Sequence, residues 1–120
     1  MSEYQEQEIS IDELNAYIDK LKAQAELPEA LERLQKNKDF QLIIEQEYLR
    51  EEAIRLTENK CHPEFQTPER QALLDRGLFG VSHMTQFFNR IRVMGEMAKR
   101  DLAQAESDRE EFYSSEVGQE

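Results

Sequence analysis

Apolar residues recur along most of this chain at spacings of three and four, the pattern of helices with one dry face. The first run is Ile11, Leu14, Tyr17, Ile18, Leu21 and Ala25. Ser10 stands just before it and Glu13 three residues on. This is a capping-box pattern, in which the hydroxyl takes an orphan amide and the carboxylate returns the bond. Pro28 then interrupts the run, because proline suits a first helical turn but biases the preceding Leu27 away from helix. The pattern predicts helices over about 10–26 and 28–37, the second with Leu31 and Leu34 inward, and leaves a single kinked helix as the alternative. Asn37-Lys38-Asp39 marks a break, with Asp39 as N-cap of a third helix over about 40–58. Its apolar residues form two stripes: Phe40, Ile44 and Tyr48, and then Leu42, Leu49, Ala53 and Leu56, with Ile43 and Ile54 between. A stripe that wide predicts neighbours on two sides and hence a central packing helix.

From Asn59 to Thr67 the periodicity fails, which predicts a loop. Thr67-Pro68-Glu69 supplies an N-cap, a proline at the first helical position and an acid matched to the helix dipole. A short helix over about 68–76 follows, and Gly77 and Gly80 predict a bend or break, since each glycine weakens a helix by ~1 kcal/mol relative to alanine. The last helix, about 81–112, would reach about 48 Å at ~1.5 Å per residue. Its seam is Val81, Met84, Phe88, Ile91, Gly95, Ala98, Leu102 and Ala105, large in the first half and small in the second. Small residues admit a close neighbour, and the narrow stripe of the first helix makes that helix the expected antiparallel partner. The fold class is therefore all-α, a helical hairpin or small bundle with a long C-terminal helix. Its organisation is an acidic tail over 1–9, a helical domain over 10–106 and an acidic end over 107–120.

Charge changes this picture by its placement. The net charge is −11, yet residues 14–105 hold 15 acids and 14 bases. Residues 1–13 carry five acids and no Lys or Arg, and residues 106–120 carry six acids against Arg109 alone. Acidic ends repel a nucleic-acid backbone, so no direct nucleic-acid partner is expected. They keep a protein soluble, or they dock on a basic partner. The apolar runs, Leu42-Ile43-Ile44 among them, are too short to span a bilayer, so no membrane partner is expected. Met1-Ser2-Glu3-Tyr4-Gln5-Glu6 is acidic without an apolar core, which excludes a secretory signal as written. Cys61 has no partner for a disulfide and fits a reducing, cytoplasmic compartment.

Catalytic chemistry finds little to stand on. Cys61, His62 and His83 are the only soft ligands, one short of a structural zinc set, so no metal or other cofactor is expected. A cysteine nucleophile needs a base and an orienting group nearby, and neither histidine is well placed by sequence. Glu45, Glu47, Glu51 and Glu52 include no Glu-x-x-His, and a solvated helix face accounts for them. Gly77-Leu78-Phe79-Gly80 lacks the lysine and the preceding strand of a phosphate loop. Between Arg70 and Arg100 six bases face two acids, which with Phe87 and Phe88 resembles a nucleic-acid surface. These bases scatter around the helix, so pairing with the acidic ends is the preferred expectation. Met84, Met94 and Met97 beside the phenylalanines form either ordinary core or an adaptable partner face.

The stretches Leu34-Gln-Lys-Asn-Lys-Asp39-Phe40-Gln-Leu-Ile-Ile-Glu, Tyr48-Leu-Arg-Glu-Glu-Ala53-Ile-Arg-Leu56, Gln86-Phe-Phe-Asn-Arg-Ile91 and Gly95-Glu-Met-Ala98 resemble small acidic helical proteins of tailed bacteriophages, encoded beside virion-assembly genes. The likeness spans roughly residues 10–105 and is a packing and capping pattern with no catalytic residue to carry over. It implies a component of a phage particle or its assembly, located in the virion or host cytoplasm. The expected function is thus non-enzymatic binding of a larger virion or host protein, with self-association as an option. Phe87, Phe88, Ile91, Met94 and Met97 would form the partner surface, with Arg90 and Arg92 at its rim. The alternative is an acidic inhibitor that blocks a nucleic-acid-binding host protein.

Overall fold

The computed structural model describes residues 10–118, and every regular element among them is a helix. The expected acidic tail over 1–9 lies outside the described residues, as do 119 and 120. The elements are α1 (Ile11–Gln35), α2 (Lys38–Phe40), a π-helical stretch (Gln41–Glu52), α3 (Ala53–Lys60), a 3₁₀ turn (Pro63–Phe65) and α4 (Pro68–Gly118). The protein is all-α with a long C-terminal helix. The described residues gather into two compact units, one of 10–28 with 92–118 and one of 29–91.

In the first unit the start of α1 runs antiparallel to the end of α4. The amide of Glu13 donates to Ser10 Oγ (3.1 Å), so the capping serine acts as its position predicts. Pro28 meets Gly95 at one end of the pair, and Arg109 Nη1 donates to Asn15 Oδ1 (3.1 Å) near the other. Between them Ile18, Leu21, Ala25, Ala98 and Ala105 form a buried core, with Leu14 and Leu102 packed against it. Leu14, Ile18, Leu21, Ala25 and Pro28 step by fours and threes, and so do Gly95, Ala98, Leu102, Ala105 and Arg109. This is the spacing of a two-stranded coiled coil, with the small residues concentrated on one strand. Ile18 is fully enclosed (0% exposed), which contributes roughly 1.5–3 kcal/mol. The expected pairing of the narrow first stripe with the small-residue seam is what the unit contains.

The predicted break at Pro28 does not occur, and α1 continues through it to Gln35. Proline removes the bond to the carbonyl of Gln24 and costs about 3 kcal/mol within a helix. Its ring seats against Gly95, where no side chain competes for the space.

In the second unit the chain from Lys38 to Lys60 folds back along α4. Lys60 pairs with Asp75, Leu56 covers Gly77, the Tyr48 hydroxyl covers Gly80, and the rings of Phe40 and Phe88 lie 5.9 Å apart. Leu31, Leu56, Leu74 and Val81 are buried. The predicted bend at Gly77 and Gly80 is absent, so the expected helices over 68–76 and 81–112 are one helix that runs on to Gly118. Neither glycine has a positive φ. A methyl group at Gly77 would lie 2.8 Å from Leu56 Cδ1, and one at Gly80 would lie 3.0 Å from Tyr48 Oη. These glycines admit close neighbours and do not break the helix.

Two further expectations are corrected. Asn37, not Asp39, caps the second helical stretch: its backbone is extended, and its side-chain oxygen accepts from the amide of Phe40 (3.0 Å). Asp39 falls inside the first turn, where its charge suits the helix dipole. The expected central packing helix buries no residue fully between Gln41 and Glu52. The half-buried apolar positions Phe40, Ile44, Tyr48, Leu49 and Ala53 step mainly by four. An α-turn of 3.6 residues would walk that series around the axis, whereas the wider π-turn keeps it nearly in line. The inward face is therefore narrow, and Leu42, Ile43 and Ile54 stand outside.

Candidate interaction surface

The connection from Cys61 to Thr67 is tied down by side-chain amides. Gln66 Nε2 donates to the carbonyls of Lys60 (2.9 Å) and His62 (2.8 Å), and Gln71 Nε2 to those of Lys60 (3.0 Å) and Phe65 (2.8 Å). The amide of Arg70 donates to Thr67 Oγ1 (3.3 Å), which starts α4 at the predicted cap. His62 Nδ1 accepts from the amide of Glu64 (3.3 Å), and its ring meets Phe65 edge-on. The histidine therefore caps the 3₁₀ turn, and Cys61 beside it is exposed with a free thiol. Among the described residues no group of three or more His, Cys, Asp or Glu side chains could hold a metal ion. No helix among them is long and apolar enough to cross a membrane.

Of the seven residues expected to form one partner surface, Phe87, Phe88, Arg90 and Ile91 belong to the second unit and Arg92, Met94 and Met97 to the first. Phe88 and Ile91 are half-buried, and Phe88 is spent on Phe40. Arg92, Met94 and Met97 are exposed on the first unit. In the second unit Phe87 is 43% exposed, and the Arg90 guanidinium carbon lies 5.4 Å from its ring centroid. A cation over an exposed ring gains about 0.5–1 kcal/mol and leaves its charge available to a partner.

Sequence reasoning missed Phe79, which it assigned to a bend. At 73% exposure it is the most open large apolar side chain among the described residues. The signal lay in the spacing: Phe79, His83, Phe87 and Arg90 step by four, four and three, and all four are exposed. Phe79 and His83 also line a shallow groove with Gly80, Ser82 and Gln86. This face of α4 is turned from the Gly77 side that Leu56 covers, and Gly80, which the Tyr48 hydroxyl covers, lies at its edge.

No protein family, curated protein or solved structure matches this chain.

Three bases of the basic stretch engage near neighbours among the described residues, and the expected pairing with the acidic ends falls in part on residues 1–9, which lie outside them. Arg70 donates to the carbonyl of Glu64, Lys99 pairs with Glu96 (3.4 Å), and Arg90 covers Phe87. Elsewhere, the hydrogen bond from Arg55 holds the Glu52 carboxyl below its usual range and raises the guanidinium in return. Both groups are open to solvent, and the pair is an ordinary helix-surface contact.

Proposed function

We propose that this chain is a non-enzymatic protein-binding module that docks through the outer face of α4 in its second unit. Phe79 and Phe87 are the apolar anchors and Arg90 the charged rim. The exposed Phe87 ring beneath the Arg90 guanidinium carries this reading. Aromatic side chains and arginine are enriched at protein interfaces: a ring adds a large contact area with only two torsions to order, and the planar guanidinium stacks on it while keeping its charge. The resemblance to phage proteins supplies the setting, a structural or assembly component of a virion, and belongs to the same proposal.

The test compares tagged wild-type chain with the Phe79→Asp/Phe87→Asp variant in a phage-producing culture that encodes it. Wild-type chain should co-purify with assembled particles, and the variant should be lost from them at unchanged helical circular dichroism. Equal recovery of the two with particles would sink the proposed surface. Absence of wild-type chain from the particles and from their assembly intermediates would sink the virion setting.

A further inference from the structure

The helix α4 does not stop where its apolar pattern fades but runs on to Gly118, so the acidic C-terminal stretch continues an ordered helix. In the first unit, residues 10–18 and 105–116 together hold Asp12, Glu13, Glu106, Asp108, Glu110, Glu111 and Glu116 against one base, Arg109. That base is half-buried and bonded to Asn15. Amid these acids stand two aromatic side chains, Phe112 (37% exposed) and Tyr113 (47% exposed), their rings edge to face at 5.9 Å.

Phe112 follows Ala105 and Arg109 by steps of four and three, so it continues the coiled-coil seam. The register that sets Asn15 against Arg109 places Phe112 level with Ile11, the residue at which α1 begins. The seam therefore reaches the start of its partner helix at Phe112, and the aromatic pair at that end remains partly exposed.

We propose that this end of the first unit is a docking surface for a cationic amphipathic segment of another protein. Charge selects that occupant over the alternatives. The chain's own first nine residues carry Glu3, Glu6 and Glu8 and no base, so they would add like charge to a surface already in excess of acid. A second copy presenting the same end would do the same. A segment with Lys or Arg on one face and apolar residues on the other satisfies both features at once. Its cations meet the carboxylates and lie over the aromatic faces, and its apolar side covers Phe112 and Tyr113. This surface is separate from the Phe79 and Phe87 face and does not depend on it.

The probe is a fluorescent synthetic peptide of leucine and lysine at helical spacing, titrated with the full chain and followed by anisotropy. The expected result is binding that weakens by about tenfold in Phe112→Ser/Tyr113→Ser and by a similar factor in Glu110→Gln/Glu111→Gln. It should also weaken between about 50 mM and about 300 mM salt, as screening shortens the reach of the carboxylates. The same peptide with glutamate for lysine should not bind, and Phe79→Asp/Phe87→Asp should bind as wild type does. Circular dichroism checks that each variant folds, and Tyr113→Ser alone replaces the double aromatic variant if helix is lost. Undiminished binding in the aromatic variants means diffuse charge attraction and overturns the proposal. So does a loss confined to Phe79→Asp/Phe87→Asp, which would assign the peptide to the other face, and so does failure of the lysine peptide to bind.

Discussion

Gly95→Ala is the most informative single substitution, because two ordinary rules give it opposite signs. In an exposed helix interior, alanine stabilises relative to glycine by ~1 kcal/mol, through backbone entropy in the unfolded chain. At Gly95 the new methyl group would collide with Pro28 Cγ and sit 2.5 Å from Pro28 Cδ, with Pro28 Cβ at 3.4 Å. Carbon atoms rest at roughly 3.5–4.0 Å, so the ring must give way by about 1 Å or more. A pyrrolidine ring cannot swing aside as a leucine tip can, so the two helices have to part. Parting them loosens the buried seam at Ala25 and Ala98, the next steps along it.

Overpacking of this kind costs about 1–3 kcal/mol, which exceeds the propensity gain. The expected outcome is a net loss of about 1 kcal/mol in denaturant unfolding followed by circular dichroism, with the slope unchanged. Pro28→Ala supplies the decisive control. It removes Cγ and Cδ, the two colliding atoms, and restores an amide to α1. Gly95→Ala in that background should become neutral or stabilising, a coupling of about 1–3 kcal/mol between the two sites. If Gly95→Ala alone stabilises by the ordinary helix increment, or if the two changes simply add, the close approach of Pro28 and Gly95 is wrong.

Other expectations follow from burial and charge. Ile18→Ala should cost about 2–5 kcal/mol in the same unfolding experiment, whereas Leu42→Ser, at an exposed position on the π-helical stretch, should stay within about 0.5 kcal/mol. Arg55→Met should raise the titration midpoint of Glu52, read from its carboxyl carbon by NMR, back towards the ordinary carboxylate value. The sign is that of a depressed carboxylate: its contribution is present above the unfolded-state value and is lost as pH falls through the lower folded value. Because both groups are open to solvent, stability at neutral pH should barely change.

The parts of the fold that were legible in the sequence are those where local chemistry and packing agree. Ser10 and Thr67 cap helices as their positions predict, the loop before Thr67 is a loop, and the Leu14-to-Ala25 stripe meets the small-residue seam. The misreadings share one physical cause. Pro28, Gly77 and Gly80 are helix breakers by propensity, but the two glycines leave room for Leu56 and Tyr48, Pro28 fills the room that Gly95 leaves, and packing overrides the local preference. A sequence shows that a residue is small without showing what lies against it. The π-helical stretch was hidden for a different reason: reading its apolar positions with a 3.6-residue turn yields two stripes, and a wider turn merges most of them into one. The candidate surface suffered from the same limit. Phe88 and Ile91 share Phe87's composition and neighbourhood, and only their angular position on α4 turns them inward, while Phe79 was discounted because of the glycines on either side.

Charge and exposed aromatic surface are divided between the two units in a way that neither alone explains. Residues 29–91 hold eleven acids and nine bases, close to neutral, and it is here that Phe79 and Phe87 stand open. The remainder of the chain holds fifteen acids and six bases, and its open aromatic pair, Phe112 and Tyr113, lies where the acids are densest. A contact through the first pair draws on buried apolar area and is nearly indifferent to salt. A contact through the second gains from long-range attraction and is screened over a Debye length of about 8 Å at physiological ionic strength. A single binding mode using either pair leaves the other unaccounted for. The two proposed modes, separable by salt, would account for both and would give the acidic surplus a role beyond solubility.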